Sequence, residues 1–174
     1  MLARLRERYA SASGPLLVHR LDLDTSGLLV AALDADAHRT LQRCFAEREV
    51  DKRYVAIVDG RVGGESGTIE LALRLDPYDR PRRIHDPASG RAAVTRWRVL
   101  ERAGDRTRVE LQPLTGRTHQ LRVHASHPLG LAAPVVGDRL YGRGGGRLLL
   151  HARALSFVHP GSGRRVEFES REPF

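Results

Sequence analysis

Three short stretches of this sequence carry residues that could do chemistry. The first is LLVHRLDLDTSGLLVAAL, residues 16–33, in which Asp22 occupies a polar centre between two apolar runs. Arg20 stands two positions before it, and Asp24, Thr25 and Ser26 follow it. A carboxylate at the mouth of a sheet, beside a fixed cation, can attack an electrophile. An aspartate in an Asp-Thr-Ser-Gly turn can equally bond to its own backbone. The second stretch is TGRTHQLRVH, residues 115–124. Thr118 is expected to cap a helix there, with Gln120, Leu121 and Arg122 in its first turn, so that Arg117 and the first backbone amides form a positive concavity for a phosphate or a carboxylate. The plain alternative is a capped surface helix with a structural salt bridge. The third is Tyr54, in Lys52-Arg53-Tyr54. A ring beside a basic strand can stack on an unpaired base, or it can be a core tyrosine with one wet edge.

The surrounding elements must hold these groups. Residues 2–10 suit a short helix with Leu2, Leu5 and Tyr9 near one face. Residues 16–33 read as strand, exposed turn, strand. Asp34 can cap a helix over 34–49, with Ala37, Leu41, Cys44, Phe45 and Arg48 at helical spacing. KRYVAIVDG is a strand ended by Asp59-Gly60, and GTIELAL a weaker one. The stretch from Asp76 to Arg91, rich in Pro, Arg and Asp, is expected to be a mobile basic loop or irregular hairpin. AAVTRWRVLER and TRVELQPL alternate around Gly104-Asp105 as a hairpin. Two more strands close the chain. Strands predominate and neighbours are hairpin-connected, so the fold class is α+β: a mixed, largely antiparallel sheet with flanking helices.

Composition sets the partners. There are 29 Lys+Arg against 21 Asp+Glu, a formal net charge of +8, and Lys52 is the sole lysine. A strongly basic domain suits a polyanion. The chain of 174 residues is the size of one domain. The single cysteine, Cys44, excludes an internal disulfide and a multi-cysteine zinc site. No apolar run could span a bilayer, and the charged MLARLRERYASASG start lacks the apolar core of a signal peptide. A cytoplasmic protein with no membrane partner is expected.

Taken together, these stretches resemble the RluA-type family of pseudouridine synthases. HRLDLDTSGLLV is similar to that family's catalytic motif at Arg20, Leu21, Asp22, Thr25, Ser26 and Gly27. KRYVAIVDG resembles its Lys-x-Tyr strand, and LTGRTHQLRVH followed by VVGDRLYG resembles its C-terminal signature. The resemblance implies a pseudouridine synthase-like fold and an isomerase that converts specific uridines of ribosomal and/or transfer RNA, with no cofactor. It puts Asp22 on the catalytic nucleophile, Tyr54 on the ring that stacks on the target uracil, and Arg122 on the partner of the carboxylate. It puts Arg20 on the arginine that fills the gap left by the flipped nucleotide. Thr25, Arg117, Gln120, Arg82 and Arg83 complete the expected RNA contacts. Attack at C1′, attack at C6 and deprotonation at C2′ all remain open. Eighteen residues precede His19, fewer than the family's usual strand pair and Lys-Pro turn require. Residues 1–174 are therefore expected to be one catalytic domain, N-terminally truncated, without a separate RNA-binding domain. It would be a monomer unless an uncovered edge drives self-association.

Two rivals stand beside this reading. A non-catalytic RNA-binding remnant would use the same basic surface, but has no need of Asp22. A metal-dependent hydrolase would draw on His119, His124, His127 and Asp138, but the three histidines do not share one helical face and no HExxH pattern occurs.

Overall fold

The computed structural model describes residues 2–174. One eight-stranded sheet dominates, with strand order β1-β7-β2-β6-β5-β3-β4 and β8 paired to β7. The strands are β1 (Ser26–Gly27), β2 (Asp51–Asp59), β3 (Ser66–Leu75), β4 (Arg83–His85), β5 (Arg91–Ala103), β6 (Arg106–Pro113), β7 (Leu150–Val158) and β8 (Arg165–Glu169). Only β1 and β7 run parallel; every other pair is antiparallel. Three helices accompany it: α1 (Leu2–Arg8), α2 (Ala35–Ala46) and α3 (Gln120–Ser126). Among the described residues, no helix is long and apolar enough to cross a membrane. The mixed α+β architecture is the one expected.

Local chemistry accounts for most elements. Asp34 caps α2 through a 2.7 Å hydrogen bond from the Ala37 amide, and the helix buries His38, Leu41 and Cys44 along one stripe. Gly104, at φ 60, makes the tight turn from β5 to β6, so that Ala103 pairs with Arg106. Two apolar clusters result. The larger joins β2, β3, β5, β6 and β7 to Leu121 and Val123 of α3. The smaller packs Leu41 and Cys44 of α2 against Leu155 and Phe157 of β7. Each fully buried side chain such as Leu111 or Leu150 contributes about 1.5–3 kcal/mol of burial.

Four expectations need correction. The two apolar runs around Asp22 are not full strands: only Ser26–Gly27 joins the sheet, with a single bridge from Leu17 to Ala31. Their apolar residues pack on α2, which needs no ladder. Second, the basic segment 76–91 is not a loop throughout but takes the hairpin form, with a regular strand in it. Pro81 and Pro87 lie outside Arg83–His85, and that triplet pairs with Leu73–Leu75 because β3 is long enough to reach it. His85 Nδ1 accepts the Ala72 amide (3.0 Å), and an Arg74–Asp86 ion pair closes the hairpin. Third, Thr118 caps nothing. His119 is the N-cap of α3, in a left-handed conformation, with no side-chain cap bond. Fourth, α1 buries no residue, so its expected apolar face is only partly covered.

Candidate active site

Asp22 is placed by a turn and a two-residue strand. Its carbonyl accepts the Thr25 amide at 3.0 Å. Ser26 and Gly27 then lie alongside His151 and Ala152 of β7, and the Leu28 amide bonds to the Ala152 carbonyl. Gly27 has φ 109, and a Cβ there would meet the Ala152 carbonyl oxygen at 2.3 Å. No other residue allows this close approach, which is the physical reason for glycine after Thr-Ser. The Ser26 hydroxyl meets His151 Nδ1 at 2.8 Å and accepts a bond from Arg147.

Tyr54 comes from the centre of β2, paired with Leu111 on one side and Ala152 on the other. The ladder to β7 shifts register between Arg53 and Tyr54, and such a bulge re-aims the side chain that follows. Burial, reinforced by the charge of Asp22, pushes the Tyr54 hydroxyl up to about 12. The phenol is therefore protonated at neutral pH.

Arg122 lies in α3, a helix of seven residues in which Gln120 to Ala125 are all buried. So short a helix is not stable by itself; tertiary packing holds it. The guanidinium is 7% exposed and makes a bidentate pair with Asp138, Nε to Oδ2 at 2.7 Å and Nη2 to Oδ1 at 2.6 Å. Its distance to Asp22 is 3.9 Å, through Nη1. The expected Arg122–Asp22 pairing is thus the longer of two contacts. Asp138, 0% exposed, is the principal partner, and Oδ1 also accepts the amides of Leu140 and Tyr141. Burial alone would lower the Arg122 pKa, but Asp138, with Asp22 added, raises it above its ordinary value. Burial would likewise raise Asp138, and Arg122 holds it below the usual carboxylate range.

A cavity of about 710 Å³ opens beside these groups, with Arg20, Asp22, Thr25, Tyr54, Arg117 and Gln120 in its lining. Arg20 and Arg117 are exposed at its rim. The Thr25 hydroxyl is buried without a partner among the described residues. Gln120 differs from expectation. Its carbonyl accepts Thr115 Oγ1 and the Arg117 amide, and its amide donates to the Val94 carbonyl and Thr95 Oγ1. Its hydrogen-bonding capacity is filled, so it shapes the 115–120 turn and has no group left for RNA. Arg82 and Arg83 do not line the cavity. They sit by Tyr141, where Arg82 pairs with Asp79.

Sequence reasoning missed the pairing of Asp138 and the place of Tyr141, although both lie in VVGDRLYG. Tyr141 contacts Arg122 through its ring, and its hydroxyl meets His119 Nδ1 at 2.8 Å. The rival metal set also dissolves here, because Asp138 is committed to Arg122. Among the described residues no group of three His, Cys, Asp or Glu is arranged to hold a metal.

A carboxylate 3.9 Å from a buried arginine shares a cavity with a protonated tyrosine and with exposed cations at the rim, an arrangement suited to a polyanion. Comparison with known proteins gives the class its name. The family model described as RNA pseudouridylate synthase matches residues 2–127. The dual-specificity RNA pseudouridine synthase RluA of Escherichia coli K12 is 41% identical over 180 residues, covering 100% of this chain and 80% of that protein. Its namesake in Haemophilus influenzae is 39% identical, covering 99% and 79%. Among solved structures, human RNA pseudouridylate synthase domain containing 1 superposes with a TM-score of 0.82 at 37% identity, covering 99% of this chain and 74% of that one. Human RNA pseudouridylate synthase domain containing 4 gives 0.76 at 28%, covering 93% and 73%. The chain belongs to the RNA pseudouridylate synthase family. It is an isomerase that converts uridine to pseudouridine in RNA.

Proposed function

We propose that Asp22 is the nucleophile of this isomerisation, that Tyr54 stacks on the target uracil, and that Arg122 keeps the carboxylate aimed. The observation that carries the reading is the 3.9 Å approach of Asp22 to an arginine locked by Asp138, with Tyr54 in the same cavity as Asp22. In the reaction the N1–C1′ bond breaks, the uracil rotates without leaving, and a C5–C1′ bond forms. The hydrogen lost from C5 is matched by one gained at N1, so no redox partner is required and no water is consumed. Attack at C1′, attack at C6 and deprotonation at C2′ share one demand, a carboxylate fixed against the nucleotide. A uridine within structured RNA must first be extruded, at a cost of a few kcal/mol. Tyr54 stacking and insertion of the exposed Arg20 offset that cost. Thr25 offers its unpartnered hydroxyl, while Arg117, Arg82 and Arg83 meet backbone phosphates. The substrates are ribosomal and/or transfer RNA, in line with the dual specificity named for the Escherichia coli relative. Residues 1–174 act as one catalytic domain, monomeric and in the cytoplasm.

The test uses unmodified transfer and ribosomal RNA transcripts tritiated at uridine C5. The wild-type chain should release tritium, and Asp22→Asn should release none while binding the same RNA within several-fold, because phosphate contacts dominate affinity. Turnover by Asp22→Asn would refute the nucleophile. Binding without release by the wild type would favour an RNA-binding remnant.

A further inference from the structure

Arg83 differs from its neighbours Arg82 and Arg122. Its side chain is half-buried, its Nε is shut off from solvent without a hydrogen-bond partner, and among the described residues no carboxylate pairs with it. Arg82, next to it, has Asp79, and Arg122 has Asp138. A partly desolvated guanidinium without an anion is costly, so the missing partner is expected from outside the chain.

His119 shares this space. Its Nδ1 lies 2.8 Å from the Tyr141 hydroxyl, which also accepts the Arg83 backbone amide at 2.7 Å. With that acceptor role filled, the phenol proton is free for Nδ1. A neutral imidazole then carries its own proton on Nε2, as a donor. Burial lowers the imidazole pKa, and the charges of Asp22, Arg122, Arg83 and Asp138 all act on the ring. Tyr141 links the ring to the Arg83 backbone and to Arg122, whose Nη1 reaches Asp22. Its backbone is at φ 56, unusual for a residue with a Cβ, and such strain persists where surrounding structure imposes it, often at functional sites. Tyr141 braces the group further, with the guanidiniums of Arg82 and Arg122 at 5.5 and 5.2 Å from its ring centroid.

We infer that Arg83 and His119, braced by Tyr141, form a subsite for one RNA backbone phosphate beside the uridine on which Asp22 acts. The inference rests on the reading of Asp22 as the reacting group. The phosphate supplies the anion that Arg83 lacks, and His119 Nε2 gives a second donor from another element. The subsite fixes the strand outside the cavity that takes the base. The bidentate geometry of arginine suits a phosphate, and the His119 contact keeps that phosphate close to the reacting carboxylate.

The experiment measures tritium release from the same C5-tritiated transcripts at several RNA and salt concentrations. Arg83→Gln should raise KM about tenfold while kcat stays within about threefold, and should reduce the salt slope of log(kcat/KM) by about 1. Arg83→Lys keeps the charge and should keep the slope. His119→Asn, which tolerates the left-handed backbone, should raise KM several-fold. Should His119→Asn fail to fold by circular dichroism, Arg83→Gln decides alone, because its backbone link to Tyr141 is intact. A wild-type KM and salt slope in Arg83→Gln overturns the subsite, as does an equal loss of slope in Arg83→Lys. If the wild type binds the RNA but releases no tritium, it is the catalytic reading that fails. The subsite is then judged by filter binding of the same RNA, where an unchanged affinity and salt slope in Arg83→Gln overturns it.

Discussion

Asp22 and Arg122 approach to 3.9 Å, yet they are held in different ways. On the Arg122 side, guanidinium and Asp138 are both buried, every Asp138 oxygen is occupied, and α3 is packed into the larger cluster. On the Asp22 side, the carboxylate is 17% exposed on a turn joined to the sheet by a two-residue strand, with its flanking apolar residues packed on the smaller cluster. The difference teaches a division of labour. The arginine is a fixed reference whose geometry is set by folding, while the carboxylate sits on a thinly tethered arm that must admit a nucleotide. Precision in the arm comes from close contact with β7 at Gly27 and from the Ser26–His151 bond.

Asp22→Asn gives the sharpest contrast between function and stability. Isomerisation should fall below detection, while stability to urea stays within about 0.5 kcal/mol, as for a residue outside the core. A large drop in the denaturation midpoint would mean that the arm is as integral to the fold as the arginine side.

Asp138→Asn should do the reverse. It leaves Arg122 buried with one anion gone, and breaking a buried pair costs about 3–5 kcal/mol. Urea denaturation checks the size, and activity should fall with it because Arg122 loses its aim. A loss under about 1 kcal/mol would show that Asp22 can take over as partner, which collapses the contrast.

Acid should act on both sides. Burial, with the charge of Lys52, holds His19 at about 4, and burial, with His127 and His85, holds His124 at about 4. Unfolded histidine titrates near 6.5. In the acid range the unfolded chain therefore binds more protons than the folded one. The stability is fully present above about pH 6.5 and is lost as pH falls toward 4, at up to about 3 kcal/mol per histidine. The two separate by partner. His19 accepts the Val30 amide at 3.0 Å, whereas both ring nitrogens of His124 lack partners among the described residues. His124→Leu should flatten the pH–stability curve without loss at pH 7.5, and His19→Leu should flatten it while orphaning the Val30 amide, costing about 1–3 kcal/mol. Parallel pH curves for wild type and His124→Leu would refute the burial argument.

Gly27→Ala should cost about 1–3 kcal/mol of stability. It should cut turnover far more, up to about a hundredfold, since a shift near 1 Å at Asp22 is enough. Comparable losses in both would show that the arm is not separately tethered.

The fold and much of the site were legible in the residues. Alternation marked β5 and β6, the run ended by Asp59-Gly60 marked β2, and Asp34 marked the start of α2. The motif residues Asp22, Tyr54 and Arg122 could be singled out because their neighbours form long ordered blocks. The arm was misread because apolar runs beside a turn look like strands whether they pair in a ladder or pack on a helix. Thr118 was misread because a cap preference is local, whereas the start of α3 is set by Gln120 bonding back to the Arg117 amide and across to Val94 and Thr95.

The sequence by itself determined the periodicities, the excess of positive charge and the family to which these motifs belong. Only the tertiary structure decided which charge answers which. Arg122 and Asp138 are sixteen positions apart, a separation that carries no pairing signal, and their bond exists because packing removes both from water together. The same holds for Arg83 and His119. Neither spacing nor residue type joins them; the Tyr141 hydroxyl does, once folding brings β4, the His119 turn and residue 141 within hydrogen-bond reach. Local preferences act over a few residues, whereas desolvation acts on whatever the fold has buried side by side.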